Sequence, residues 1–301
     1  MALQSFVRLS DLFSRNEKPT VGVIGVGDIG QGIASSIATA KFPLVVFDRK
    51  TEAAELFSDV ADVADDLADL GSRSDIVIVA VVNDEQVKSV LIGPGAVLDS
   101  MEEGVVVIVS TISPEAVHAL ALATVGTGVA VIDCGVSGGA ASAKRGELIS
   151  MVGGDHGVIE LVTPVLNAFS SLVVEMGPLG SGLLAKLARN IVQYGSWLAA
   201  YEGQRLAEAG GIDLEKLAQV IRASDAKIGG ATTLMIRPST EPFDEVTQPE
   251  LVEYMKSTVA IAQKDLAAAI QAANAFGVEL PGAELTHANC HEIFGVSVKE
   301  K

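Results

Sequence analysis

The sequence predicts an α/β domain built on a doubly wound parallel sheet, followed by an all-α domain. Three observations carry that prediction. Short β-branched runs alternate with helical stretches through the first half of the chain. The first of those runs ends in a glycine-rich turn. Beyond Gly177 no convincing strand pattern remains, and long helical stretches take over.

The elements follow in order. Residues 20–27, TVGVIGVG, read as a buried strand running into its turn, and 29–41 as the helix behind it. LVVFD at 44–48 is the next strand, and further strands read at 75–82, 105–110 and 129–134, with helices at 84–91 and 114–122. The acidic run DVADVADDLADL at 59–70 reads as a solvated helix face. Helices are expected at 181–209, 213–223, 249–276 and 283–293. The Gly/Pro-rich GPLGSG at 177–182 marks the division, which gives an N-terminal extension over 1–18, the sheet domain over 19–178 and a helical domain over 179–301.

Composition narrows the class. The 301 residues suffice for about two domains, with a core that needs no disulfide or metal staples. Half the residues are apolar (49%) and only 20% are charged, which excludes global disorder. Thirty-eight acids against 21 Lys and Arg give a net charge of −17, a surface that repels nucleic-acid backbones. Two cysteines, Cys134 and Cys290, argue for a reducing compartment. The N-terminal segment has no continuous apolar stretch, and no run reaches the ~18 apolar residues of a membrane span. A soluble cytoplasmic protein, not bound to membranes, is expected.

The sharpest motif is Gly25-Val26-Gly27-Asp28-Ile29-Gly30. Gly25 permits the tight turn out of the strand, Gly27 lets a pyrophosphate approach the backbone, and Gly30 lets the helix pack closely on the sheet. Free N–H groups at the helix start then face the phosphates. Asp48 ends the next strand, about twenty positions on, where an acid binds ribose hydroxyls. This is a Rossmann-type dinucleotide site. Asp48 favours NAD by repelling a 2′-phosphate, while Arg49 offers a stack on adenine or a hold on that phosphate, so NADP stays open.

Three later segments carry chemistry. Ser110-Thr111-Ile112-Ser113-Pro114 follows a strand directly. Asp133-Cys134-Gly135-Val136-Ser137-Gly138-Gly139 runs on through Ala143 and Gly146 to Met151-Val152-Gly153-Gly154. Gly180 and Gly182 precede Lys186 and Asn190, which are spaced i, i+4 and so share one helix face. With the glycine turn and Lys264-Asp265-Leu266, these motifs resemble the β-hydroxyacid dehydrogenase family, which includes the 3-hydroxyisobutyrate dehydrogenases. The resemblance covers about residues 20–285, with all motifs in family order.

That resemblance implies a hydride exchanged between a nicotinamide cofactor and a small β-hydroxy acid or its semialdehyde. Lys186 would move the hydroxyl proton, its pKa lowered by burial or by positive charge. Asn190 would orient the lysine or the substrate. Ser137, Gly138 and Gly139 would bind the substrate carboxylate, and Lys264 that carboxylate or the nicotinamide ribose. Ser110 and Thr111 would contact the nicotinamide side, or cap the helix before Pro114. A homodimer or homotetramer is expected, with the helical half as its interface or as a wall of the site cleft.

One departure stands out. The family pattern has Ala-Pro before Val-Ser-Gly-Gly, and this chain has Cys134-Gly135. Cys134 has no partnered base and reads as a small packed residue. Arg237, in the breaker-rich 228–248, is a candidate acid reader, although a plain connection suits the segment better. His287 and His291 are i, i+4 but lack any supporting carboxylate pattern, so no metal is expected and a pocket role is preferred. Three readings compete with a dehydrogenase. An imine reductase of related fold usually replaces the lysine, and a non-catalytic dinucleotide-binding protein would have no use for Lys186 and Asn190. A decarboxylating sugar-phosphate dehydrogenase is normally a longer chain.

Overall fold

The computed structural model describes residues 18–297 except 234, 236 and 238. Of the extension expected over 1–18, only Lys18 falls among them; its Nζ donates to the Ala40 carbonyl at 2.5 Å. The sheet region runs β1 (Val21–Ile24), α1 (Asp28–Thr39), β2 (Leu44–Phe47), α2 (Thr51–Glu55), β3 (Asp62–Val63), α3 (Leu67–Arg73), β4 (Ile76–Val79), α4 (Asp84–Leu91) and α5 (Val97–Ser100). It continues with β5 (Glu103–Ile108), α6 (Pro114–Ala123), β6 (Gly128–Ser137), α7 (Gly139–Arg145), β7 (Leu148–Gly153), α8 (His156–Phe169) and β8 (Ser170–Gly177). Among the described residues five helices follow: α9 (Ser181–Ala209), α10 (Leu214–Ile228), α11 (Pro249–Ala275), α12 (Pro281–Ala288) and α13 (Cys290–Ile293).

The eight strands of the described residues form one sheet in the order β3-β2-β1-β4-β5-β6-β7-β8. The first six are parallel, β7 runs antiparallel to β6, and β8 runs parallel to β7. Strands β1 and β4 are buried at every position, as a parallel sheet covered on both faces requires. The two-residue period divides their side chains. Val21, Val23, Ile76, Ile78, Val105 and Val107 join one core with Ile33 and Ile37 of α1. Ile24, Val77, Val79, Val106 and Ile108 join the other with Leu91 of α4.

The sheet differs from the sequence expectation at two places. The acidic run is not one helix: Asp62–Val63 pairs with β2, and α3 starts only at Leu67. Asp66 sets that start, because its side chain accepts from the Asp69 N–H and caps the helix there. The second difference is the pair β7 and β8, which extends the sheet past the last expected strand. Expectation and structure agree on 84–91 and 181–209.

The chain divides into two compact units between Arg189 and Asn190, inside α9. In the second unit Met255, Val259, Cys290 and Val296 form a small core. The buried Glu202 carboxylate there accepts from the N–H groups of Gly282 (2.7 Å) and Ala283 (2.9 Å), fastening the start of α12. Arg237 serves the same unit structurally. Its guanidinium lies over the Phe243 ring at 5.6 Å and donates to the Ile293 carbonyl at 3.2 Å, tying the connecting segment to the end of α13. No described helix is long and apolar enough to cross a membrane.

Candidate active site

The glycine turn sits at the carboxyl end of β1, the sheet edge where doubly wound folds hold ligands. Gly25 adopts a φ of 87° and donates to the Phe47 carbonyl, which aligns the turn with β2. A Cβ on Gly30 would lie 1.8 Å from the Gly25 oxygen, so only glycine fits, whereas Gly27 faces open space. Gly27 is the N-cap of α1 and supplies no side-chain cap. These are the features of a cradle for a pyrophosphate, and the residues fit a dinucleotide. Asp28 and Ile29 complete the turn, Asp28 exposed and Ile29 half-buried.

Asp48 has a use beyond the one expected. Its carboxylate accepts from the Val26 N–H at 2.9 Å and from the Lys50 N–H at 2.9 Å, stitching the end of β2 to the glycine turn. A carboxylate has about four acceptor sites, so two such bonds leave capacity for ribose hydroxyls. Arg49 is exposed beside it. Ser110 is buried; its Oγ accepts from the Val81 N–H at 2.9 Å and donates to the Val79 carbonyl at 3.3 Å, so it joins the ends of β4 and β5. Thr111 is exposed. The helix cap before Pro114 is neither of these but Ser113, whose Oγ accepts from the Ala116 N–H at 3.2 Å.

Ser137 ends β6, and Gly138 and Gly139 turn the chain into α7 with φ values of 127° and 70°. Both glycines are exposed. Helix α7 is locked to α1: a Cβ on Gly32 would lie 2.5 Å from Ala143, and Ser36 Oγ donates to the Ala143 carbonyl at 3.2 Å. The phosphate-facing helix therefore braces the loop that begins at Ser137.

Lys186 is brought to the same strand. Gly135, two residues before Ser137, is buried, and a Cβ there would lie only 2.5 Å from Lys186 Cβ. Lys186 is half-buried on α9, and its pKa is lowered, first by burial and then by the Arg189 charge. Asn190 follows one turn later on the same helix and is half-buried. Lys264 lies on α11, exposed, with Nζ 3.2 Å from Asp265 Oδ1. Cys134 is fully buried, and burial pushes its thiol up to about 12, far from nucleophilic use. Near the C-terminus, Cys290 donates to the Thr286 carbonyl at 3.2 Å, and His291 Nδ1 is buried without a hydrogen bond.

Sequence reasoning gave no role to Asp133, which the structure makes central. It is fully buried, and its oxygens accept from the Gly180 N–H (2.6 Å) and the Leu183 N–H (2.7 Å) at the start of α9. Burial raises its pKa, and those backbone donors work against the rise. The visible signal was an acid ending an apolar strand ahead of Gly180-x-Gly182, but its partners lie about fifty residues on. A cavity of about 520 Å3 lies elsewhere, at the opposite ends of the strands, lined by Thr20, Ser74, Asp75 and Glu103.

Comparison with known proteins matches nearly the whole described chain. The model of the NAD binding domain of 6-phosphogluconate dehydrogenase matches residues 20–177. The model described as NAD-binding of NADP-dependent 3-hydroxyisobutyrate dehydrogenase matches residues 180–294. The chain belongs to the β-hydroxyacid dehydrogenase family. As a member of that family it is an NAD(P)-dependent dehydrogenase acting on CH–OH groups. It is 36% identical over 271 residues to an uncharacterized oxidoreductase of Mycobacterium tuberculosis, covering 89% of this chain and 91% of that one. It is 34% identical over 207 residues to L-threonate dehydrogenase of Cupriavidus necator, covering 68% and 70%. The crystal structure of a putative oxidoreductase from Mycobacterium avium superposes with a TM-score of 0.83 at 33% identity, covering 93% of this chain and 100% of that one.

Proposed function

We propose that this dehydrogenase interconverts a small β-hydroxy acid, of the 3-hydroxyisobutyrate type, with its semialdehyde, and that Lys186 is its general acid and base. One observation carries the reading: the lysine stem lies against Gly135, two residues before the Ser137 loop. On this reading the Lys186 amine and the Ser137 turn serve one small molecule. A nicotinamide cofactor held at the glycine turn would supply the hydride acceptor for oxidation or the hydride donor for reduction. Ser137 with the N–H groups of Gly138 and Gly139 holds the substrate carboxylate, where small residues let backbone donors converge. In oxidation the neutral Lys186 amine takes the proton from the substrate hydroxyl, and in reduction the ammonium returns it to the carbonyl oxygen. Asn190 is proposed to orient Lys186 or the substrate, and Lys264 to bind the carboxylate or the nicotinamide ribose.

Burial and the neighbouring Arg189 lower the Lys186 pKa, which enlarges the neutral fraction that oxidation needs. Asp48 favours NAD over NADP, and the exposed Arg49 is available to stack on adenine or to hold a 2′-phosphate. Lys186 also separates this reading from imine reduction, since oxidation of an alcohol must shed a hydroxyl proton. Lys186→Ala is expected to abolish turnover while the cofactor Kd stays within about twofold. Near-normal kcat would overturn the assignment. Oxidation of 3-hydroxyisobutyrate, glycerate, threonate, 4-hydroxybutyrate and serine with each cofactor identifies the acid. Inactivity on all of them, with reduction of a cyclic imine, would favour the alternative.

The pairing we propose is a homodimer formed through α9. Leu184, Leu187, Ile191, Tyr194, Leu198 and Tyr201 recur at alternating spacings of three and four, the pattern of a helix-packing seam, and all are exposed. Helix α10 has no buried residue, although Val220 and Ile221 are apolar. Contiguous apolar surface of this kind is expected to be covered by a second copy. A cytoplasmic location is proposed from the two unpaired cysteines.

A further inference from the structure

We propose that Asp133 and Gly135 are positioning residues for Lys186: the carboxylate of Asp133 fastens the first turn of α9 to β6, and the missing side chain of Gly135 is the seat in which the lysine stem lies. The inference rests on the assignment of Lys186 as acid and base, and it deepens that assignment.

The strand period makes the arrangement economical. Residues 133, 135 and 137 point to one face of β6, while Cys134 points to the other and joins the core. On that one face, three successive positions serve as helix anchor, lysine seat and start of the carboxylate loop. The anchor is charge-assisted, with bonds of 2.6 and 2.7 Å to the N–H groups of Gly180 and Leu183, which a helix start otherwise leaves unsatisfied. Lys186 lies three residues beyond Leu183, within the next turn of the same helix.

The seat is equally specific. A Cβ on Gly135 would meet Lys186 Cβ at 2.5 Å and the Gly182 carbonyl oxygen at 2.7 Å. Neither is the free end of a flexible side chain, so the helix itself would have to move. Two more glycines complete the close approach. A Cβ on Gly182 would lie 2.3 Å from the Met151 oxygen, and one on Gly153 would lie 2.5 Å from Asp133 Oδ1. Helix α9 is thereby sunk to backbone contact on β6 and β7. The family pattern carries proline at position 135, whose ring starts from that same Cβ. Glycine here permits the backbone approach of α9 to β6.

The experiment uses the full-length protein and the variants Gly135→Ala and Asp133→Asn. Three quantities are read: kcat, the cofactor Kd by fluorescence titration, and the pH midpoint for acetic anhydride labelling of Lys186, followed by peptide mass spectrometry. The charge that acts on that lysine is Arg189, on its own helix. A displacement near 1 Å is expected to lower kcat by about 10²-fold, with cofactor Kd unchanged, because the glycine turn is not touched. The Lys186 labelling midpoint should rise toward the ordinary lysine value as the helix lifts into solvent. A folded Gly135→Ala protein with wild-type kcat and wild-type midpoint would overturn the proposal. Should that variant fail to fold, Asp133→Asn, which conserves volume, decides by the same two readouts. In the unaltered protein the Gly180 and Leu183 amides should exchange slowly with deuterium, and exchange at the rate of exposed amides would remove the anchor. If Lys186→Ala keeps its turnover, the assignment of the lysine fails instead, while labelling and amide exchange still report whether Asp133 and Gly135 hold it.

Discussion

Lys186 is held in a place that disfavours its own charge. Burial lowers its pKa, and Arg189 adds to the effect. The unfolded chain keeps the ordinary lysine value, so between the lowered folded value and that ordinary value the unfolded state binds more protons, and stability rises with pH across the window. Below the window the whole penalty is present. Lys186→Met keeps the apolar stem and removes the charge, so it should raise Tm at pH 7, with a gain that shrinks as pH climbs through the window. Thermal melts at pH 7 and near pH 10.5 check this, and an unchanged or lower Tm at pH 7 would contradict it. A stabilising change that also ends turnover is the mark of a functional site. Other site residues show where sequence stops being legible. The glycine turn reads directly, because its constraint is local. Ser110 reads as a cofactor contact, yet its hydroxyl satisfies the Val81 N–H just past the end of β4. That demand arises only when β4 and β5 lie side by side.

Among the elements, those that generate their own signal were legible and those that answer a neighbour were not. Helix α9 carries a long stretch of good helix formers, β1 and β4 are unbroken apolar runs, and β5 is one after its opening Glu103. Strand β8 instead lies at the sheet edge with most of its residues exposed or half-buried, and β7 is defined by its antiparallel return along β6. Capping at a distance is similarly hidden. Asp133 reaches α9 across about fifty residues, and Glu202 reaches α12 across about eighty. The second of these isolates the cost of such an anchor, because Glu202 lies outside the proposed chemistry. Glu202→Ala strips the acceptor from the Gly282 and Ala283 amides. The expected loss is about 1–3 kcal/mol, the penalty for leaving buried donors unsatisfied. Urea denaturation should show a lower midpoint with the same m-value. An unchanged midpoint would mean that water replaces the carboxylate without cost.

For the molecule as a whole, charge and apolar surface pull in opposite directions. A net charge of −17 opposes association between copies, yet one long helix exposes a continuous apolar seam in which Ile191 keeps 74% of its surface free and Tyr201 59%. Helix α9 spans 29 residues, about 43 Å at 1.5 Å per residue, long enough for several turns of side-chain packing against a second helix. Repulsion between net charges acts over roughly a Debye length, ~8 Å at physiological salt, so contact packing along the seam outweighs it there and weakens relative to it as salt is removed. The proposed dimer should therefore be complete near 0.15 M salt and dissociate more readily at low ionic strength. Replacing Ile191 and Leu198 together by glutamate sets like charges into the seam itself, where separation is short and water is excluded. Light scattering after size exclusion should give twice the chain mass for the unaltered protein and a single chain mass for the double variant. Circular dichroism should show the same helix content in both, since neither side chain is buried within the single chain. A wild-type protein that elutes as one chain at micromolar concentration would overturn the pairing, and a double variant that remains dimeric would move the interface off this helix.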